Sequence, residues 1–449
     1  MDSLIEFLAE NSHIRFATPE SPDFADLCTV FVLNETRKPS MIVRPRSAED
    51  VGALVSILTA NDLSFTIRAG GHDMFGRCQV DGAVTIDMRE FTYVHVDTES
   101  RTARVGGGVI SINLVKELER FKMVVPHPVT PTVGFVGWAL HGGYGMLSSK
   151  YGLGVDQILG ATVVDAEGVV READETMLTA IRGAGGTVGV IAELKIRIYP
   201  LDQVLAGAIL YEPNDLGVTI QKFNDQLRES KKQGLPAALG LYQLVNNSPV
   251  GKTLTVLFVW ASSDLDEGQS WLSKVSSWAS VAVNAVIPTT LTAFNEIADS
   301  LVPKKVFGSI YAATVYDLTP EVVNVISKHA PLQPNSPDVM YGIHELRAGT
   351  PYPDTNSVFY SHRPHVIIEI IPISQSPERV DEAVKWAQSF HLELSQTDAV
   401  NIPPFCYISL TPSRGLDMKA IYGTKYEDIK AIKKLYDPLN RFENALVQL

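Results

Sequence analysis

The residues of this chain best suited to chemistry form the segment Arg68-Ala69-Gly70-Gly71-His72-Asp73, which follows the apolar run Leu63–Ile67. Two adjacent glycines lack Cβ atoms, so the backbone can turn tightly and its N–H groups can approach a ligand closely. A histidine directly after such a turn faces the ligand that the turn holds. Taken alone, the segment is more often an ordinary loop than a binding site, because short motifs often match by chance.

A second glycine-rich segment runs from Pro131 to Gly145, and the sequence from Thr130 to Gly145 contains neither Lys nor Arg. If this segment binds a diphosphate, backbone N–H groups must provide the hydrogen bonds. The alternative is a buried hairpin whose glycines mark points of close packing. The segment matches neither a Walker A loop nor a Rossmann motif, since the required spacing of glycines, Lys and Ser or Thr is missing.

Composition limits the classes of protein and ligand. The chain has 449 residues, of which 45% are hydrophobic and 20% charged, as in a globular protein of two or three domains. A net charge of −13 argues against binding to nucleic acid or an anionic membrane. The three cysteines, Cys28, Cys78 and Cys406, have neither disulfide-framework nor zinc-site spacing, so no metal is expected. Met1–Ser12 lacks the basic start of a secretory signal, and a cytoplasmic location is expected.

The pattern of apolar residues divides the chain into zones. From about residue 40 to 200, short strands such as Ala83–Met88 alternate with helices such as Ser47–Thr59. Beyond residue 200 longer strands follow, including Val306–Thr314, which indicates an antiparallel sheet covered by helices. The last fifty residues predict a strand at Phe405–Leu410 and a helix at Lys425–Leu435.

Five segments, in this order, resemble one protein family: Arg68–Asp73, Pro131–Gly145, Lys150–Asp156, Ile181–Gly186 and Tyr436–Phe442. The chain resembles the berberine bridge enzyme-like FAD-linked oxidoreductases of the vanillyl-alcohol oxidase (PCMH-type FAD-binding) superfamily. The resemblance implies an α+β fold, in which a two-subdomain FAD-binding unit is joined to an antiparallel-sheet substrate domain with covering helices. The boundaries that follow are an N-terminal segment 1–38, an FAD domain 39–200, a substrate domain 201–400 and a C-terminal segment 401–449 that returns to the FAD domain.

The resemblance also implies that His72 bonds covalently to the 8α-methyl group of FAD. Such a bond would keep the cofactor from dissociating and raise its reduction potential. Many relatives make a second bond through a cysteine at the position of Thr130, so here attachment through His72 alone is expected. The other positions expected to bind FAD are Arg68, Ala69, Gly70, Gly71, Asp73, Thr130, Thr132, Gly134, Gly137, His141, Gly142, Gly143, Val190 and Tyr422.

Three further positions depart from the family pattern. Pro128 occupies a position that is thought to control oxygen access in this family. Its rigid ring does not indicate whether the flavin reacts with oxygen. Ser409 and Lys425 stand where asparagines are frequent. Lys425 would either place a positive charge at the rim of the flavin or point to solvent.

Glu345 is the candidate catalytic base, because Glu345–Gly349 followed by Tyr360–Arg363 resembles the family segment that carries a carboxylate. In an apolar pocket its pKa would be raised, which suits a group that accepts a proton. The alternative is a structural ion pair with Arg347 or His344. Tyr341, Tyr407 and His344 are further candidates for the catalytic pocket, with ordinary packing as their alternative role.

The expected function is removal of a hydride from a bulky apolar or aromatic small molecule, with molecular oxygen as acceptor, in specialised metabolism. One alternative is a redox-neutral isomerase or cyclase that uses the same pocket. Another is a flavin-bearing binding protein without turnover. Neither the identity of the substrate nor the oligomeric state follows from the sequence.

Overall fold

The computed structural model describes residues 1–33, 37–353, 355–413 and 416–449. Up to residue 200, the helices are α1 (Asp2–Glu10), α2 (Phe24–Leu27), α3 (Ala48–Ala60), α4 (Ser111–Glu119), α5 (Phe135–Ala139), α6 (Ser148–Tyr151) and α7 (Glu175–Ala184). The strands of this part are β1 (Arg15–Ala17), β2 (Met41–Arg44), β3 (Phe65–Arg68), β4 (Val84–Asp87), β5 (Val94–Asp97), β6 (Thr102–Gly106), β7 (Met123–Val124), β8 (Ile158–Val164), β9 (Val170–Glu172), β10 (Val190–Arg197) and β11 (Tyr199–Pro200).

Beyond residue 200, the strands are β12 (Val204–Tyr211), β13 (Leu239–Ser248), β14 (Gly251–Trp260), β15 (Val281–Asn284), β16 (Ile287–Thr289), β17 (Phe307–Gly308), β18 (Tyr311–Val315), β19 (Met340–Leu346), β20 (His365–Ile371) and β21 (Ile373–Ser374). The helices are α8 (Leu216–Gln233), α9 (Leu265–Ser276), α10 (Leu291–Leu301), α11 (Pro320–Leu332), α12 (Val380–Ser395), α13 (Met418–Tyr422) and α14 (Tyr426–Tyr436).

Local sequence signals set the ends of the N-terminal elements. Ser47 caps α3, and its side chain and that of Asp50 satisfy each other's backbone N–H groups in a capping box. The apolar side of α3 then packs on β2, β3 and β4, with Val51, Leu54 and Leu58 fully buried. The helix that the sequence predicts at Ser47–Thr59 therefore forms within one residue of its expected bounds.

In the described residues, the strands of the first part form two main sheets. One has the order β1-β2-β4-β3, with β2 and β3 both parallel to β4. The other is antiparallel, with the order β5-β6-β10-β8-β9. The parallel sheet brings the end of β3, and so the first glycine segment, to one edge of this part.

The second part is an antiparallel sheet whose strands follow the order β15-β12-β14-β13-β19-β20-β18, with β16 also paired to β12. One face packs against α8, α11 and α12 in a large apolar core. The other face contacts the first part of the chain through two further clusters that contain Tyr242, Leu346 and Ile367. This second face is called the cofactor-facing face below.

The α+β architecture predicted from the sequence is confirmed, with local exceptions. Residues Phe405–Leu410 do not form the predicted strand; only Ile408–Leu410 is regular, as a 3-10 turn. The predicted strand Val306–Thr314 is divided into β17 and β18 after Gly308, whose φ is +124°. None of the described helices combines the length and apolar character needed to cross a membrane.

Candidate active site

The two glycine segments meet backbone to backbone. A Cβ atom on Gly70 would lie 2.6 Å from the nitrogen of Gly134, and a Cβ on Gly134 would lie 2.7 Å from the nitrogen of Gly70. Gly71 has a φ of +72°, a conformation that glycine adopts at no steric cost. Contact between segments sixty residues apart therefore requires glycine on both sides.

His72 lies at this junction. Its Nε2 atom is 3.1 Å from Oγ1 of Thr132, and its ring stacks on Phe31 with centroids 3.8 Å apart. Burial lowers the pKa of His72 to about 4, so the imidazole is neutral at physiological pH. A neutral imidazole has a free electron pair and can act as a nucleophile.

Arg68 lies beneath the turn, in a buried ion-pair cluster. Its Nη2 atom donates to Oδ2 of Asp87 at 2.7 Å, and Arg44 and Arg89 also donate to this carboxylate. Burial alone would raise the pKa of Asp87, but the guanidinium groups of Arg68 and Arg89 lower it to about 2. Three cations around one carboxylate place net positive charge under the first glycine segment.

Asp73 shapes its own loop. Its carboxylate accepts hydrogen bonds from the backbone of Phe75 and Arg77 and from the side chain of Arg77, at 2.6–3.2 Å. Arg77 in turn donates to the carbonyl groups of Ser409 and Thr411, at 3.0 and 3.1 Å. The loop after His72 is thereby tied to the C-terminal segment.

The second glycine segment begins α5 and then turns twice. His141 donates from Nδ1 to the carbonyl of Gly137 at 3.1 Å, and burial lowers its pKa to about 4. Gly142, with a φ of +125°, packs against the ring of Phe359, and Gly143, with a φ of +80°, packs against Trp138 and Gly154.

On the substrate side, strand alternation assigns β19 residues to opposite faces. Tyr341 and Ile343 lie in the core under the helices, and Glu345 follows on that same face. Glu345 forms an ion pair with Lys231 of α8. Arg347 instead donates to Oγ of Ser149.

Gly342, His344 and Glu369 lie on the cofactor-facing face, where Gly342 is the register partner of Glu369. Nε2 of His344 is 2.8 Å from Oε1 of Glu369. The hydroxyl of Tyr242 occupies the space that a side chain at position 342 would need. Burial, together with the Glu369 charge, raises the pKa of Tyr242 far above its usual range.

Tyr407 joins the C-terminal segment to this face. Its ring packs edge-on against Tyr144 with centroids 4.8 Å apart, and the Tyr144 hydroxyl donates to Nε2 of His365 at 2.9 Å. Burial raises the pKa of Tyr407 above its usual range. A small cleft lies beside Tyr144 and is lined by residues that include Tyr242, His344 and Glu345.

Comparison with known proteins finds FAD-linked oxidoreductases among the similar sequences. A family model described as an FAD binding domain matches residues 39–174. The FAD-linked oxidoreductase aurO of Gibberella zeae is 30% identical over 443 residues, which cover 96% of this chain and 84% of that protein. Berberine bridge enzyme-like D-1 of Nicotiana tabacum is 33% identical over 221 residues, 47% of this chain and 36% of that protein. The structure of 6-hydroxy-D-nicotine oxidase from Arthrobacter nicotinovorans superposes with a TM-score of 0.83 at 24% identity, covering 96% of this chain and 97% of that one.

The chain belongs to the berberine bridge enzyme-like FAD-linked oxidoreductases. The predicted family, the PCMH-type fold with its substrate domain, the enzyme class and FAD as cofactor are thereby confirmed.

The glycine segments of this FAD-linked oxidoreductase fit its cofactor. A Cβ atom on Gly137 or on Gly186 would have no described atom within 4 Å, so both positions border open space. The predicted FAD-binding residues that are partly exposed are Ala69, Gly70, His72, Asp73, Thr130 and Thr132. This cradle offers backbone N–H groups with little side-chain bulk, which suits a diphosphate and a flat ring system.

Several of the predicted FAD-binding residues of this flavoenzyme contact protein groups instead of open space, among them Arg68, Val190 and Tyr422. The side chain of Val190 is buried in the core beside α3, so only its backbone can reach a cofactor. The Tyr422 hydroxyl donates to the carbonyl of Gly183 at 2.9 Å. Lys425 is exposed and lies 3.6 Å from Asp428, which favours the solvent-facing alternative.

Sequence reasoning named His344 as a candidate pocket residue but missed its partner Glu369, and it also missed Arg77. The apolar run Val366–Ile371 contains one carboxylate, and a charge at an alternating position of an otherwise apolar strand was a usable signal. Arg77 had a weaker signal, its i,i+4 spacing from Asp73.

Proposed function

We propose that the chain is an FAD-dependent oxidase that removes a hydride from a bulky apolar or aromatic small molecule of specialised metabolism. Molecular oxygen is the electron acceptor. The observation that supports this most directly is the Glu369–His344 pair on the cofactor-facing face, at 2.8 Å and surrounded by aromatic and aliphatic side chains. The flavin, when bound, supplies the redox chemistry.

In this proposal Glu369 accepts the proton that the substrate loses as its hydride departs. His344 holds the carboxylate in place, and Tyr242, seated against Gly342, closes the same side of the pocket. Tyr144 and Tyr407 exclude water from the apolar part of the cleft. Glu345 stays a prediction as catalytic base; its pairing with Lys231 on the helix-covered face favours a structural role.

The cofactor is bound covalently through His72 and through no second residue, since Thr130 cannot form a thioether. Denaturing the purified protein in acid tests this bond. The yellow colour should precipitate with the wild-type chain and stay in solution for His72→Ala. Covalent flavin in that variant would refute the assignment.

Anaerobic addition of substrates tests the oxidase itself. The first probes are 6-hydroxy-D-nicotine, which the similar oxidase is named for, and a panel of phenols and aromatic amines. A substrate should bleach the visible absorbance of the flavin, and air should restore it with formation of hydrogen peroxide. Conversion without bleaching would point to a redox-neutral isomerase or cyclase. Tight binding without conversion of any probe would point to a binding protein.

A further inference from the structure

The attachment histidine is held on two sides by residues that lie in different parts of the chain. Thr132, from the second glycine segment, contacts Nε2 of His72 at 3.1 Å. Phe31, from the N-terminal segment, stacks on the imidazole with an interplanar angle of 16° and a centroid distance of 3.8 Å. The ring can therefore neither flip nor rotate about χ2 without losing one contact.

Phe31 is itself anchored at both of its backbone groups. Its N–H donates to the carbonyl of Gly71 at 2.9 Å, next to His72, and its carbonyl accepts from the N–H of Val306 at 2.9 Å. Leu33 then donates to the carbonyl of Val306 at 2.7 Å. The Phe31 ring is thus fixed between the first glycine segment and the substrate domain.

We propose that Thr132 and Phe31 are positioning residues for the self-catalysed attachment of FAD to His72. This inference rests on the covalent bond of the proposed function. In the attachment, one imidazole N–H bond and one C–H bond of the 8α-methyl group break, and one N–C bond forms. The two electrons and two protons released pass to the flavin ring and then to molecular oxygen, which becomes hydrogen peroxide.

The physical reason is the orientation of the nucleophile. Burial keeps the imidazole neutral, but a neutral ring attacks only when its plane and electron pair point at the carbon. The Thr132 hydroxyl can donate to an unprotonated Nε2 or accept from a protonated one, so the contact persists while the proton moves. Phe31 fixes the plane of the imidazole ring by stacking against it.

The rate of attachment can be measured without a substrate. Apoprotein made in a riboflavin-deprived host is mixed with FAD, and samples are denatured in acid at intervals to measure the flavin retained on the chain. Absorbance before denaturation reports FAD bound without a covalent bond. We expect Thr132→Val to slow attachment about tenfold, the effect of losing one hydrogen bond at the reacting group, while FAD still binds.

Three companion variants make the test specific. Thr132→Ser keeps the hydroxyl and should restore most of the rate, and Phe31→Leu, which removes the flat ring, should slow attachment severalfold. Thr85→Val is the matched control, because the buried Thr85 hydroxyl has no hydrogen-bond partner among the described residues and lies on β4 opposite Thr66. It should attach FAD at the wild-type rate.

Wild-type rates in both Thr132→Val and Phe31→Leu would overturn the inference, as would a serine variant no faster than the valine variant. If Thr132→Val binds no FAD at all, the serine and leucine variants still decide. A wild-type chain that never retains flavin in acid would instead reject the covalent bond itself, so the two failures are distinguishable.

Discussion

On the cofactor side of the cleft, Gly70 and Gly134 meet with backbone atoms so close that a Cβ on Gly70 would lie 2.6 Å from the Gly134 nitrogen. On the substrate side, His344 and Glu369 meet through side chains carried by two neighbouring strands, at 2.8 Å. The cofactor side depends on residues without side chains, and each such residue is visible as a glycine in a short motif. The substrate side depends on which face of a strand each residue occupies.

Because of this difference, we expect the glycine segments to tolerate fewer substitutions than the strands of the substrate side. Two backbones in contact cannot adjust to an added side chain. On a strand face, different polar side chains can occupy the same position. A displacement of one position along a strand moves a side chain to the opposite face. Glu345 and His344 are neighbours in sequence, yet only His344 lies on the cofactor-facing face.

The largest effect is expected beneath the first glycine segment. Asp87→Asn removes the single carboxylate that Arg44, Arg68 and Arg89 share and should lower the free energy of unfolding by about 3–5 kcal/mol. Chemical denaturation measures this, and Asp266→Asn, at an exposed position in the first turn of α9, is the control, with a loss below about 1 kcal/mol. A small loss for Asp87→Asn would show that the cluster does not stabilise the turn.

The same cluster predicts a pH dependence. The pKa of Asp87 is about 2 when folded, below its unfolded value of about 3.9, so the contribution of its charge is complete above about pH 5. About 2 kcal/mol should be lost as the pH falls from about 5 toward 2. Asp87→Asn should abolish this part of the acid dependence, and an unchanged acid dependence in that variant would contradict the assignment.

Two glycine substitutions separate folding from cofactor binding. Gly70→Ala should destabilise apoprotein and holoprotein alike by about 2–3 kcal/mol, because its methyl group overlaps the Gly134 backbone. Gly137→Ala meets no described atom and lies in α5, so the apoprotein should keep its stability while FAD binds more weakly. Thermal melts with and without FAD would show both effects. If FAD stabilised the Gly137→Ala variant as much as it stabilises the wild type, Gly137 would not border the cofactor.

The smallest effect is expected at Lys425. Lys425→Asn should change the free energy of unfolding by less than about 0.5 kcal/mol, because its ion pair with Asp428 is between two largely exposed side chains. The visible spectrum of the bound flavin should also stay the same. A shifted spectrum would place the lysine at the flavin rim after all.

The sequence singled out the two glycine segments and His72, because glycine turns and a following histidine are local signals in a short motif. It predicted the substrate side less well for a physical reason. Whether Glu345 or Glu369 faces the cofactor depends on the register of β19 and β20, which long-range pairing decides. The ties from Arg77 to the C-terminal segment and from Phe31 to Val306 join residues over 270 positions apart, and no local pattern encodes them.

Two matched carboxylate variants, Glu369→Gln and Glu345→Gln, test most directly which carboxylate acts as the base. Both are assayed with a substrate found by anaerobic bleaching. The rate of flavin reduction in stopped flow should fall at least about 100-fold for Glu369→Gln, the scale of losing a catalytic base. For Glu345→Gln it should stay within about twofold, because that residue pairs with Lys231 on the helix-covered face. A large loss for Glu345→Gln with a normal rate for Glu369→Gln would contradict the account.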